Sequence, residues 1–168
     1  QAEDALKNGL SMEKIDALMS KPFGLPPTGL FGLIDLIGLD VMDLVGKNLM
    51  ANLPNGDVGL TYTSLPQIEK DMILNGQLGR KSGGGFYRVR KFNDGSKKKE
   101  TYDVLAKNWR NFEVASLEEN QKSLEVIFSK ELEGQFCWNL MGATINYAAD
   151  LIPEISDDII NIDRAMRW

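Results

Sequence analysis

The sequence predicts a mainly α fold that carries one β-hairpin at about 86–104. Three observations lead there. Apolar residues recur three and four positions apart over most of the chain, the spacing that lines one face of a helix. Between residues 86 and 104 that period gives way to aromatic and β-branched residues on either side of Asn93-Asp94-Gly95-Ser96, a turn sequence suited to positive φ. At 168 residues the chain is long enough for one domain to bury a substantial core.

Taken in order, residues 2–19 read as two short amphipathic helices. Ala5, Leu6 and Leu10 give the first apolar stripe, Gly9 breaks it, and Ser11 stands where a cap for the second helix belongs. Ile15, Leu18 and Met19 continue at helical spacing. Residues 21–29 hold three prolines and two glycines, so they form a loop. Residues 30–53 form one long apolar helix or two shorter ones. Gly32, Gly38 and Gly46 each weaken it by about 1 kcal/mol relative to Ala and let another backbone come close. Pro54-Asn55-Gly56-Asp57 is a turn, and residues 66–74 form a short helix stopped at Gly76.

After the hairpin, helix returns at Ser116, with Ser116 and Glu119 at capping-box spacing. Leu124, Ile127, Phe128, Leu132, Phe136, Leu140 and Met141 step along one stripe to about Ala149, which makes this the longest helix expected. Pro153 ends it or begins the next one. Ser156-Asp157-Asp158 opens a last helix, with acids at the end where the helix dipole favours them.

Composition narrows the function classes. The chain is 43% hydrophobic and 26% charged, as soluble globular proteins are, and no apolar run is long enough to cross a bilayer. No basic-then-apolar leader opens it, and a cytoplasmic location is the expectation. There is no histidine, which removes Ser-His-Asp and Cys-His chemistry and His-ligated metals. Cys137 is the sole cysteine, so no disulfide or cysteine metal cluster forms within the chain, and its apolar setting reads as a small buried hydrophobe. A net charge of −5 argues against nucleic acid as a partner.

A short internal repeat is visible. Ile15-Asp16-Ala17-Leu18-Met19 matches Ile162-Asp163-Arg164-Ala165-Met166. Residues 1–115 then read as a first helical repeat, lacking its first helix and carrying the hairpin. Residues 116–168 read as the first part of a second, truncated repeat, the two forming one compact unit. The chain is expected to be a piece of a longer protein, its last helix packing on residues 2–50 or exchanging between chains.

Two glycine-marked stretches stand out. The first is Pro27-Thr28-Gly29-Leu30 followed by Leu33-Ile34-Asp35-Leu36-Ile37-Gly38-Leu39-Asp40. The second is Gly76-Gln77-Leu78-Gly79-Arg80-Lys81-Ser82-Gly83-Gly84-Gly85-Phe86-Tyr87. The second must turn sharply between a helix and a strand, which needs residues free of Cβ restriction. It is either a rigid turn alone or a place where Arg80 and Lys81 hold phosphates. Arg80 separates Gly79 from Lys81, so no phosphate-binding Gly-Lys-Ser loop is present. Gly83-Gly84-Gly85 is no dinucleotide fingerprint either. Arg80, Lys81, Arg88, Arg90, Lys91, Lys97, Lys98 and Lys99 cluster around the hairpin. They are a solvated edge that discourages strand pairing or an anion site. Asp35 and Asp40 read as caps or interhelix hydrogen-bond acceptors before they read as acid-base groups.

Together and in this order the two stretches resemble the C-terminal helical domain of 3-hydroxyacyl-CoA dehydrogenases, in particular the long bacterial type with two tandem helical repeats, often fused to an enoyl-CoA hydratase. Leu33 to Asp40 fits the family's first run, and Gly76, Gly79, Lys81, Gly83, Gly85, Phe86 and Tyr87 fit its second. Leu30 departs from it, standing where the family has a proline. The resemblance implies a helical domain of the 6-phosphogluconate-dehydrogenase C-terminal type within an enzyme that passes hydride from a 3-hydroxyacyl-CoA to NAD. It places the catalytic groups and the NAD site in a Rossmann domain outside this chain, so no catalytic, cofactor-binding or metal-binding residue is assigned here. The implied contribution is a wall of the substrate pocket and an association surface, inactive alone. Pro27, Thr28, Gly29, Arg80 and Lys81 are the substrate-binding candidates. The acyl-CoA and the Rossmann domain are the partners, with a homodimer as a further form of association; neither nucleic acid nor membrane is expected as a partner. The alternative is a free-standing helical interaction module whose basic hairpin binds an anion.

Overall fold

The computed structural model describes residues 1–167. Among the described residues there are seven α-helices, five short 3₁₀ helices and one three-stranded sheet. The helices are α1 (Ala2–Lys7), α2 (Met12–Leu18), α3 (Gly29–Ile37), α4 (Leu39–Asn52), α5 (Gln67–Leu74), α6 (Leu132–Asp150) and α7 (Ile159–Ala165). Strands β1 (Tyr87–Lys91), β2 (Lys97–Asp103) and β3 (Asn108–Asn111) pair antiparallel in chain order.

Local chemistry sets most boundaries. Gly9 turns at φ 104° between α1 and α2, and the Ser11 hydroxyl accepts the Lys14 N–H at 3.1 Å to start α2. The apolar stretch after the proline loop divides into two helices at Gly38, which takes φ 104°. Leu39 N–H then leaves the helical pattern and donates to the Leu78 carbonyl at 2.9 Å, which joins the two glycine-marked stretches.

The core gathers Ile15 and Leu18 of α2, Phe31 of α3, Leu39, Met72, Phe86, Val126 and Cys137, all nearly or fully buried. Phe31 and Phe86 meet edge-on with ring centres 4.8 Å apart. Burial pushes the Cys137 thiol up to about 11, in keeping with an inert packing role.

The structure departs from the sequence reading in the sheet and in the start of the long helix. The expected hairpin has a third strand. Val104 to Lys107 form a second turn in which Asp103 accepts the N–H groups of Leu105 and Ala106, and Lys107 takes φ 53°. Tyr102 then pairs with Trp109 across β2 and β3. The long helix after Ser116 begins late. The capping box is Glu118 with Gln121, and it opens only a 3₁₀ turn. Leu124–Phe128 is a second 3₁₀ turn, with Leu124 and Phe128 exposed. The chain then crosses over the start of α6 at Gly134, where a Cβ would lie 2.2 Å from the Ser129 carbonyl oxygen. At its far end α6 stops at Asp150, in line with the expected end at about Ala149.

The two matching pentapeptides fall at the ends of short helices. Helices α2 and α7 have seven residues each, and each is capped by a side chain accepting the N–H three residues on: Ser11 from Lys14, Asp158 from Asn161. Their surroundings differ. Helix α2 is the centre of the core, whereas α7 packs chiefly on α6 and leaves Ile159, Ile160 and Met166 exposed. The expected packing of the last helix on residues 2–50 is not its main contact.

Candidate functional site

Three residues from separate motifs converge beside the core. Asp35 on α3 is 2% exposed, and its two carboxylate oxygens accept the N–H groups of Phe86 and Tyr87, each at 2.7 Å. Asp16 on α2 accepts from Phe31 N–H at 2.7 Å and Gly32 N–H at 3.1 Å, so it caps α3 from a neighbouring helix. The Tyr87 hydroxyl donates to the same Asp16 carboxylate at 2.8 Å. Tyr87 therefore ties both aspartates together, through its backbone to Asp35 and through its ring to Asp16.

The glycines make this possible. A Cβ on Gly85 would lie 2.0 Å from the Asp35 carboxylate, and one on Gly79 would lie 2.5 Å from the Asp35 carbonyl oxygen. Gly79 and Gly84 exchange backbone hydrogen bonds at 3.1 Å, and the Ser82 hydroxyl closes the turn by accepting from Leu78 N–H. The second stretch is a clasp shaped around the end of α3.

Helix α2 is bound to the sheet on the other side. Glu13, 4% exposed, receives both Arg110 guanidinium nitrogens at 2.7 and 2.6 Å and the Thr101 hydroxyl at 2.7 Å. Burial acts to raise its carboxyl, but the hydrogen bonds from Arg110 and Thr101 outweigh that and hold it below the ordinary glutamate value.

Between α2, the loop before α3 and the sheet lies an open cleft of about 830 Å³. Pro27, Thr28, Ala17, Val89, Phe112 and Val114 give it apolar walls, with Asp16, Asp35, Tyr87, Arg80 and Lys99 among its polar groups. Burial pushes the Asp16 carboxyl up to about 6, against the pull of its Phe31 and Tyr87 donors. Asp35 is likewise raised by burial, and the Tyr87 hydroxyl is driven far above its ordinary value by burial and by Asp16. Each of these acids is consumed by structural donors, so none is placed as a base toward the cleft.

Of the five candidate residues, Pro27, Thr28 and Arg80 line the cleft. The Thr28 hydroxyl oxygen is buried and without a hydrogen-bond partner among the described residues. Gly29 and Lys81 are placed otherwise. Gly29, at φ 67°, packs so closely on α2 that a Cβ would lie 2.4 Å from that of Asp16. Lys81 reaches across Gly38 to pair with Asp40 at 2.5 Å. Phe112 and Val114 were not among the candidates, and Lys99 was named only as one of eight cations in the possible anion site, because only the pairing of β1, β2 and β3 brings these residues opposite the Pro27 loop. The period-two spacing of Lys97 and Lys99 on a strand was the available signal.

Among the described residues no three acidic or cysteine side chains converge to hold a metal, and no helix is long and apolar enough to cross a membrane.

The fold is a mainly helical domain whose third helix is held by a glycine-rich clasp. The family described as 3-hydroxyacyl-CoA dehydrogenase, C-terminal domain, matches residues 1–89, and the chain belongs to that family. It is 34% identical over 167 residues to a Rickettsia felis protein described as a fatty acid oxidation complex trifunctional enzyme, covering 99% of this chain and 23% of that one. A Rickettsia prowazekii protein of the same description is 34% identical over 164 residues, 97% of this chain and 22% of that one. A Bacillus subtilis protein described as a probable 3-hydroxyacyl-CoA dehydrogenase is 28% identical over 178 residues, 99% and 21% respectively. The chain thus spans between a fifth and a quarter of the length of these relatives. No solved structure gives a significant match.

Proposed function

We propose that this chain is the C-terminal helical part of an NAD-dependent 3-hydroxyacyl-CoA dehydrogenase, supplying one wall of the substrate pocket and an association surface. In that reaction a hydride leaves C3 of the acyl chain for NAD while the hydroxyl proton passes to a base, both steps served by groups elsewhere in the longer enzyme. The observation that carries the reading is the cleft edged by Pro27 and Thr28, rigidly framed by Asp16, Asp35 and Tyr87 within the segment that matches the family. A fixed apolar wall orients a substrate, while the cofactor supplies the hydride chemistry.

The association surface is the outer face of α4, where Val41, Leu44, Val45 and Leu49 are exposed together. A cytoplasmic setting suits a chain whose single thiol is buried and unpaired. Two measurements test the proposal. The purified 168-residue chain should reduce no NAD with 3-hydroxybutyryl-CoA yet bind acyl-CoA in calorimetry; turnover by the chain alone, or no acyl-CoA binding, overturns it. Replacing Leu44 with Glu should leave the fold intact and reduce self-association or docking measured by light scattering.

A further inference from the structure

Two cations at the cleft are left without an ionic partner. Among the described residues Lys99 and Arg80 form no ion pair, although Lys81, Arg88 and Arg110 beside them are each engaged by Asp40, Glu100 and Glu13. The Lys99 ammonium lies 3.6 Å from the centre of the Phe112 ring and 4.8 Å from that of Tyr87. Two aromatic faces hold it at the cleft. Arg80 leaves the clasp at the start of a 3₁₀ turn and lines the same cleft. Burial is the main cause that lowers the Lys99 ammonium; Asp16 and Glu13 pull it back up without touching it, Arg80 lowers it further and Asp35 raises it. Two like charges that repel each other and face one opening favour an anion between them.

The carboxylates of the cleft act on these cations at a distance but, among the described residues, form no contact ion pair with either. Asp35 is committed to two backbone N–H groups, Asp16 to two more and the Tyr87 hydroxyl, and Glu13 to Arg110. Beside the two cations the walls are apolar, and Val89 and Val114 are exposed at 55% and 87%. A ligand that fits carries phosphate at one end of a flat, partly apolar group.

We infer that Arg80 and Lys99 together bind the phosphates of the nucleotide end of a CoA thioester, with the adenosine laid against Val89 and Val114. This rests on the reading that the chain walls an acyl-CoA site, and it assigns the phosphates to Arg80 and Lys99, with Lys81 retained by Asp40.

The probe is adenosine 3′,5′-bisphosphate, titrated into the chain by calorimetry beside AMP and inorganic phosphate. The bisphosphate should bind about tenfold or more tightly than either. Arg80→Gln and Lys99→Gln should each weaken it by about tenfold. Lys98→Gln should change it by less than about twofold, because Lys98 is the strand neighbour whose side chain projects from the opposite face. Both target side chains are exposed, so the variants keep the fold, which circular dichroism checks. No bisphosphate binding, equal binding of inorganic phosphate, or equal loss in Lys98→Gln overturns the inference. A 3-hydroxybutyryl-pantetheine titration reads the wall without the nucleotide. Its failure, with bisphosphate binding intact, counts against the wall reading and leaves the phosphate site standing.

Discussion

Asp35→Asn is the sharpest test of how the two glycine-marked stretches are joined. The carboxylate accepts two buried N–H groups, from Phe86 and Tyr87, both at 2.7 Å. An asparagine of the same shape offers one oxygen and one NH₂. One N–H keeps an acceptor that is now neutral; the other faces a donor. An orphaned buried donor costs about 1–3 kcal/mol, and exchanging a charged for a neutral acceptor costs about 1 kcal/mol more. Burial already disfavours the charged carboxylate, raising its pKa, so the neutral amide recovers part of that loss. The net expectation is a destabilisation of about 2–3 kcal/mol. For a chain of this length that is a fall in Tm of roughly 5–10 °C. Urea unfolding followed by circular dichroism measures it, with an unchanged m-value showing that the denatured state is the same. A loss under about 0.5 kcal/mol would refute the reasoning, because the clasp would then be held by its glycine packing and not by the carboxylate. Asp35→Ala should cost more than Asp35→Asn, since it strands both donors and leaves a void.

Other outcomes follow from the same contacts. Gly85→Ala should be among the most damaging glycine changes, since its Cβ would lie 2.0 Å from the Asp35 carboxylate. Gly142→Ala, in α6 with no atom within 4 Å of the new Cβ, should stabilise by about 0.5–1 kcal/mol in the same unfolding assay. Glu13→Gln should lose about 2–4 kcal/mol, because Arg110 is left facing a neutral partner; a double-mutant cycle with Arg110→Met separates the pair from the packing. The pH dependence has two limbs. Asp16 is raised from 3.8 to about 6 and Glu69 from 4.5 to about 7, both mainly by burial. Their folded forms hold the proton more tightly than the unfolded chain does, so this stability is complete below the unfolded values and is lost as pH rises through about 6 to 7. Glu13 is lowered, so its contribution is present above 4.5 and is lost as the pH falls. The Tm should therefore peak near pH 5 and fall by pH 8, with Asp16 contributing about 1–2 kcal/mol after solvent screening. A Tm that rises from pH 5 to 8 would contradict the burial of both acids.

The sequence by itself determined the helical class, the turns and the breaks. Gly9, Gly38 and Gly76 interrupt helices because each takes a positive φ that side chains disfavour, and this is a local property of the residue. Ser11 and Asp158 cap helices through bonds to residues three positions on, which spacing alone reveals. The clasp was legible as a glycine pattern, and so was its family.

Tertiary structure decided what those residues face. Asp35 and Tyr87 are 52 positions apart, and nothing in either neighbourhood shows that one caps the other. The apolar stripe from Leu124 to Leu132 has helical spacing, yet the chain leaves the helix there to cross Gly134, a packing demand that periodicity does not carry. The basic cluster likewise read as one group. Strand pairing sorted it, placing Lys99 at the cleft between aromatic rings, while Asp40 drew Lys81 away. Sequence spacing fixes which residues share a face of one element; which face meets which depends on contacts that close only when the whole chain is folded.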